Sequence, residues 1–138
     1  MKTSQPRKQR KKLYQDPLHK RHKRFSSPLS SELTASHNTS SVLVRTGDTV
    51  RVLRGDHKGF EGKVTKVDRK NYVVLVEGVT REKVDGTPKP FPIHPSKLMI
   101  TSLNLNDRWR REMLKRKGVV EDTISKSSKS KRQTSIKS

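Results

Sequence analysis

The chain of 138 residues contains no cysteine. This absence excludes disulfides, thiol catalysis and Cys-ligated zinc together. It is also typical of proteins from reducing compartments, where disulfides are rare. We therefore expect a cytoplasmic protein.

Apolar residues are scarce as well, with 28% of the chain hydrophobic and 4% aromatic. That is too little to bury every segment in a core, so part of the chain should be disordered when free. No apolar run approaches the roughly 20 residues that span a bilayer. Met1–Lys12 lacks the apolar centre of a secretory signal. These patterns predict a protein without a membrane partner.

Positive charge is what the chain has in excess. There are 33 Lys and Arg residues against 13 Asp and Glu, a formal net charge of +20. A compact molecule with this surplus repels itself unless a polyanion neutralises it, and solubility requires far less. Because a membrane is disfavoured, the composition predicts a nucleic-acid partner.

The composition divides the chain into a basic N-terminal arm (1–41), a β-rich module (42–103), a helix (104–118) and a basic tail (119–138) of low complexity. Almost nothing in residues 1–24 is apolar, so we expect this part of the arm to be extended. Its cations are Lys2, Arg7, Lys8, Arg10, Lys11, Lys12, Lys20, Arg21, Lys23 and Arg24.

A short helix is expected within the arm, near residues 28–35. Ser27 can cap it, and Pro28 suits its first position because proline lacks the N–H that is unpaired there. Leu29 and Leu33 are four residues apart and would form its buried edge.

Short β-rich runs separated by turn residues fill the module. We predict strands at Thr49–Arg54, Phe60–Val67 and Tyr72–Glu77, with weaker ones near Val84 and at Lys97–Thr101. The expected interruptions are Gly55-Asp56, Asp68–Asn71, Gly78, Asp85-Gly86 and the cluster Pro88, Pro90, Pro92 and Pro95. The predicted core is Val50, Val52, Val64, Val67, Tyr72, Val74 and Val76. This pattern favours a small, mainly β barrel, with a bulge between Val64 and Val67.

The helix at 104–118 can be capped by Asn106 or Asp107, with Gly118 as its stop. Leu105, Trp109 and Met113 follow one another at four-residue spacing and should share a face. Trp109 can stack on an unpaired base or anchor the helix on the barrel, and the anchor is the preferred interpretation.

A glycine-bracketed loop joins the first two strands of the module. Gly55 and Gly59 flank Asp56-His57-Lys58, permit a sharp reversal and let backbone N–H groups approach a phosphate. Arg54, His57 and Lys58 should project from its tip. A solvated hairpin loop is the alternative, but the basic segments on both sides favour RNA contact through phosphates.

The run from Gly47 to Asp68 resembles a KOW motif, the strand-loop-strand element of SH3-like barrels in ribosomal and transcription proteins. Further segments carry the same resemblance: Pro17–Lys23, Ser27–Ser30, Val76–Thr80, Asp85-Gly86 and Pro92–Lys97. Together, over roughly 6–117, they resemble the large-subunit ribosomal protein family numbered twenty-four in bacteria and archaea and twenty-six in eukaryotes. The uninterrupted Gly59-Phe60-Glu61-Gly62 spacing resembles its archaeal members.

The resemblance implies a structural protein of the cytoplasmic large ribosomal subunit that binds ribosomal RNA. It also implies a role early in assembly, a place near the peptide exit tunnel, and neighbouring ribosomal proteins and nascent-chain factors as partners. The residues expected on RNA are Lys8, Arg10, Lys11, Lys12, His19, Lys20, Arg21, His22, Lys23, Arg24, Arg51, Arg54, Gly55, His57, Lys58, Gly59, Lys63, Arg69, Lys70, His94, Lys97, Arg108 and Arg111.

Catalysis is disfavoured by the chemistry of the candidate residues. Asp56 and Glu61 flank a cationic loop and should both stay ionised. His19 and His22 have no further metal ligand nearby, and the glycine loop lacks the Gly-Lys-Ser/Thr ending of a P-loop. We therefore predict no enzyme activity, cofactor or small-molecule substrate. The remaining alternatives are a KOW-type transcription elongation factor and a general RNA chaperone.

Overall fold

A computed structural model describes residues 3–117. Its strands are β1 (Ser26–Pro28), β2 (Ser41–Leu43), β3 (Thr49–Val52), β4 (Glu61–Asp68), β5 (Val73–Glu82), β6 (Pro88–Ile93) and β7 (Leu98–Ser102). Its α-helices are α1 (Pro6–Gln15), α2 (Leu18–Arg21), α3 (Ser31–His37) and α4 (Arg108–Arg116), with 3-10 turns at His22–Arg24 and Pro95–Lys97. None of these helices, within residues 3–117, has the length and apolarity to cross a bilayer.

Strands β3 to β7 form an antiparallel five-stranded sheet in the order β6-β5-β4-β3-β7. Strand β4 belongs to both halves of it, because Glu61–Lys63 pair with β3 and Val64–Asp68 pair with β5. The register shifts between Val64 and Lys66, at the predicted bulge. Such a shift bends the strand and lets a small sheet curl. The predicted fold class, a mainly β SH3-like barrel, is confirmed.

The core is wider than the predicted one. Val50, Val52, Val64, Val74 and Val76 are buried as expected, whereas the predicted core residues Val67 and Tyr72 are only partly buried at its margin. Residues from outside the predicted strands complete it: Phe25, Leu29, Val42, Val44, Val79, Ile93, Leu98, Ile100 and Leu114.

Two predicted breaks in the sheet are wrong. Strand β5 continues through Gly78, where φ is +81° and the register with β6 shifts. Strand β6 runs through the prolines at 88, 90 and 92. It lies at the edge of the sheet, so its outer side has no neighbouring strand to which a proline N–H would have to donate. Val84 is in the turn between the two strands, so the strand predicted there is wrong too.

The extended conformation expected for residues 1–24 is also wrong over its described part. Helix α1 begins at Pro6, followed by α2 and a 3-10 turn. Proline at the first position has the φ of a helix and gives up an N–H that would be unpaired anyway. This segment is docked on the barrel, because the Tyr72 hydroxyl donates to the Leu13 carbonyl at 3.0 Å.

The short helix in the arm begins three residues later than predicted, at Ser31, and ends at His37. Ser30 caps α3 by accepting a hydrogen bond from the Leu33 N–H. Ser27 instead lies buried in β1, where its hydroxyl donates to the Pro95 carbonyl at 2.6 Å. Because β1 pairs with β2, this part of the arm packs with the module. The predicted division of the chain into an arm, a module, a helix and a tail stays a prediction.

Helix α4 has the predicted cap and an unpredicted buried face. Asp107 accepts a hydrogen bond from the Trp109 N–H at 3.0 Å. The side chains that turn inward are Arg110 and Leu114, while Trp109 is 72% exposed. The expected anchoring role of Trp109 is therefore wrong. The predicted stop at Gly118 and the predicted tail lie outside the described residues.

Candidate nucleic-acid interface

In the loop between β3 and β4, the two bracketing glycines adopt the positive φ that permits a sharp reversal, as the sequence predicts. Gly55 has φ +99° and Gly59 has φ +86°, values at which a residue with a side chain is disfavoured. The N–H groups of Lys58 and Gly59 donate to the carbonyls of Gly55 and Val52, at 3.0 and 2.8 Å. Those two amides are used inside the loop and are therefore not free to bind an anion.

The loop does not project all the residues expected at its tip. Arg54 and Lys58 are exposed, but His57 is half-buried and packs against the ring of Phe91, with centroids 5.2 Å apart. The backbone N–H of Leu53 donates to the Lys97 carbonyl at 2.8 Å, which places the Pro95–Lys97 turn beside the loop. We define the loop surface as the exposed cations Arg54, Lys58 and Lys97.

His94 stabilises that neighbouring turn. Its Nδ1 atom accepts a hydrogen bond from the Ser96 N–H at 3.2 Å and lies 2.8 Å from the Ser96 hydroxyl. The imidazole is exposed, but its Nδ1 atom is taken up in capping the 3-10 turn that carries Lys97.

A second cationic surface lies where the N-terminal segment meets the β4–β5 turn. Arg21 joins the two by donating to the carbonyls of Asp16 at 2.7 Å and Lys70 at 2.8 Å, with its guanidinium 5.4 Å from the Tyr72 ring centroid. We define the arm surface as the exposed cations and histidine around this junction: Lys8, Arg10, Lys11, Lys12, His19, Lys20, Lys23, Arg69 and Lys70.

Some expected RNA contacts already have partners within the chain. Arg24 pairs with Asp16 at 2.9 Å, Arg51 with Glu61 at 2.6 Å, and Arg108 with Glu112 at 3.0 Å. The Arg51 and Arg108 pairs are exposed, and exposed pairs contribute about 0–1 kcal/mol, so these two arginines can exchange a carboxylate for a phosphate at little cost. The Asp16 side chain is only 9% exposed, so this argument does not extend to the Arg24 pair. Arg21 differs, because its bonds to backbone carbonyls hold the N-terminal segment in place.

A cleft of about 410 Å³ beside the arm surface concentrates further cations, two of which the sequence analysis did not single out. Those two are Arg45 and Lys66. Burial first, then the charges of Arg69 and Arg45, lower the pKa of His22 below its ordinary 6.5. Burial and then the Arg110 guanidinium lower the pKa of Arg45. The cleft is lined by His22, Val44, Arg45, Thr46, Lys66, Val67 and Arg69.

The sequence alone does not identify this cleft. Arg45 precedes β3, Lys66 lies in β4, and His22 comes from the arm, so only the packed structure brings them together. One pairing moderates the positive potential, since Arg45 also forms an ion pair with Asp107 at the start of α4.

The loop surface and the arm surface lie at opposite ends of β4. The glycine loop precedes Glu61, whereas the turn with Arg69 and Lys70 follows Asp68. A strand of this length separates its ends by on the order of 20 Å. The structure therefore does not merge the expected contacts into one patch. Lys63 lies between the two ends on β4, and Arg111 is exposed on α4.

Within residues 3–117, no group of three or more His, Asp or Glu side chains is arranged to hold a metal ion. The exposed groups gathered at the two surfaces are chiefly cationic. Cationic side chains on a rigid frame bind phosphates by charge-assisted hydrogen bonds. The fold and these surfaces define a small, basic, KOW-type β-barrel protein.

Residues 3–117 match the family model that describes the eukaryotic L26 ribosomal proteins and their archaeal counterparts. The chain is 50% identical over 128 residues to the large ribosomal subunit protein uL24 of Korarchaeum cryptofilum (strain OPF8), covering 92% of this chain and 98% of that protein. It is 51% identical over 115 residues to the protein of the same name from Methanosphaera stadtmanae, covering 83% and 98%. The chain belongs to this ribosomal protein family and is of the archaeal type.

Proposed function

We propose that this protein is a structural constituent of the large ribosomal subunit that binds ribosomal RNA in the cytoplasm. The observation that carries the proposal is the family match over residues 3–117, to relatives named as large-subunit proteins. The two exposed cationic surfaces supply the chemistry that such a role requires.

The barrel acts as a rigid frame for two separated phosphate contacts. Arg54, Lys58 and Lys97 meet one stretch of RNA backbone, and the arm surface meets another. Contacts to phosphates fix the position and orientation of a protein without reading sequence. Each neutralised phosphate also releases condensed counterions, which favours binding at low salt.

Finer features of the role are part of the same proposal. We place the protein early in subunit assembly, near the peptide exit tunnel, beside other ribosomal proteins and within reach of nascent-chain factors. The support is the resemblance of its motifs to the family. Its role is structural rather than catalytic, in keeping with membership of a family of ribosomal proteins.

The two alternatives raised by the sequence have no support from the relatives. A KOW-type elongation factor would resemble transcription proteins, whereas the matches to this chain are ribosomal proteins along nearly its whole length. A general RNA chaperone would bind any duplex or single strand equally.

Co-sedimentation of the full chain tests the proposal. A tagged copy expressed in archaeal cells should migrate with the large subunit on a sucrose gradient and be enriched in large-subunit RNA. The doubly substituted Arg54→Gln/Lys58→Gln chain should enter that peak less efficiently, with Lys83→Gln/Lys89→Gln on the β5–β6 hairpin as the matched control. Recovery with RNA polymerase, or equal affinity for unrelated structured RNA, would contradict it.

A further inference from the structure

Trp109 is the only tryptophan of the chain, and its ring is 72% exposed on α4. The helix beneath it is fixed in position. Arg110, the next residue, is 1% exposed and donates to both carboxylate oxygens of Asp48, at 2.5 and 2.8 Å. It also donates to the carbonyls of Asn104 at 3.0 Å and Leu43 at 3.1 Å. The ring is thus presented outward from a rigid support.

The ring borders a shallow surface hollow whose charged side chains are mostly cationic. A hollow of about 420 Å³ is lined by Trp109, Glu112, Lys115 and Arg116. Apart from the buried Arg110, which Asp48 neutralises, helix α4 carries one acidic side chain against the basic side chains Arg108, Arg111, Lys115 and Arg116. A flat aromatic wall between cations matches the chemistry of a nucleotide, which joins a flat base to an anionic phosphate.

We propose that Trp109 is a stacking site for an unpaired base of RNA, with Arg116, which lines the same hollow, holding the adjoining phosphate. This inference rests on the proposed function, which supplies RNA as the ligand, and adds a base contact to the phosphate contacts described above. Aromatic side chains are the usual platforms for unpaired RNA bases, because every base has a π-face.

A protein partner fits this face less well. Stable protein interfaces bury about 800 Å² on each side around a cluster of apolar anchors. Trp109 is the single exposed large apolar side chain on α4, and its exposed neighbours on the helix are charged. One isolated aromatic ring among cations is enough for one base, but not for the apolar centre of a protein interface.

The fluorescence of Trp109 reports directly on the proposal, since no other tryptophan contributes. Titrating the full chain with purified large-subunit RNA should quench this emission. Trp109→Ala should weaken binding roughly 5- to 100-fold, whereas Trp109→Phe, which keeps a π-face, should lose much less. The salt dependence of binding should stay unchanged in Trp109→Ala and become shallower in Arg116→Gln, which removes a charge from the hollow.

Three results would overturn the stacking site. The first is normal RNA binding with unaltered emission and with Trp109→Ala at full affinity. The second is an emission that marks a buried ring before RNA is added. The third is quenching of the Trp109 emission that occurs only when another ribosomal protein is present. Failure of the unsubstituted chain to bind the RNA at all would instead contradict the proposed function. Because the ring is exposed, Trp109→Ala should fold normally, which its circular dichroism checks.

Discussion

Asp48 and Arg110 form an ion pair that is almost completely withdrawn from water, at 0% and 1% exposure. The carboxylate also accepts hydrogen bonds from the N–H groups of Arg45 at 2.8 Å and Asn104 at 2.9 Å. Burying two charges is costly unless their geometry is good and their remaining bonds are satisfied. Both carboxylate oxygens and both terminal guanidinium nitrogens are hydrogen-bonded, whereas the buried Arg110 Nε atom has no hydrogen-bond partner among the described residues. The pair joins the start of β3 to α4 and so fixes the helix on the barrel.

Removing one member of this pair should destabilise the protein strongly. Asp48→Asn leaves the Arg110 charge buried without a counter-charge, so we expect the free energy of unfolding to fall by about 3–5 kcal/mol. Glu61→Gln breaks the exposed pair with Arg51 and should cost at most about 1 kcal/mol. Urea unfolding of both variants measures the difference. Equal losses would show that the buried pair does not hold α4.

His22 should make stability depend on pH. Burial, then Arg69 and Arg45, lower its pKa in the folded chain below the ordinary 6.5. Below pH 6.5 the unfolded chain therefore binds more protons, and stability rises with pH wherever that is so. Stability should be unaffected by His22 above pH 6.5 and should fall as the pH drops from there through the folded pKa.

Urea midpoints between pH 7.5 and 5 measure this dependence. His22→Gln should flatten part of it, and the remainder should reflect His37, whose pKa burial also lowers. Hydrogen bonds from Asn71 and Lys70 lower the pKa of Asp68 below its ordinary 3.8. The pH dependence of stability that Asp68 causes therefore lies below about pH 3.8, outside this range. His19→Gln, at an exposed position, is the matched control. A His22→Gln curve parallel to that of the unsubstituted chain would contradict the assignment.

At the scale of elements, Arg21 and Tyr72 fasten the N-terminal helices to the barrel. Arg21→Ala removes the bonds to the Asp16 and Lys70 carbonyls and the contact with the Tyr72 ring. Hydrogen exchange of the α1 amides should therefore accelerate, while exchange in β3 and β4 stays slow. Lys20→Ala, which removes a neighbouring exposed charge, should leave both unchanged. Acceleration across the whole barrel would mean that Arg21 belongs to the global fold.

The elements that the sequence predicts well are those set by local pattern. The glycines, the alternating valines and the bulge that specify the β3–loop–β4 hairpin all lie in one short, continuous segment of the sequence. Strand β6 escapes this reasoning, because its prolines are tolerated only at the edge of the sheet, and the edge is a property of the whole fold. The buried face of α4 escapes it too. Arg110 turns inward because Asp48, far away in the chain, receives it.

At the scale of the whole molecule, the exposed cations are divided between two separate surfaces. Sequence reasoning identified most of the exposed cations but could not show that β4 separates them into two surfaces. Nor could it identify Arg45 and Lys66, which reach the cleft only through the packed fold. The barrel thus serves as a spacer between two proposed RNA contacts.

The salt dependence of binding to large-subunit RNA tests this two-surface account most directly. Removing a phosphate contact lowers the slope of log affinity against log salt by about 0.7–0.9. We expect Arg54→Gln/Lys58→Gln and Lys11→Gln/Lys12→Gln each to lower it by up to about twice that amount, and the combined variant to lower it by the sum. A slope near zero for the unsubstituted chain, or a slope that only one pair changes, would contradict the account.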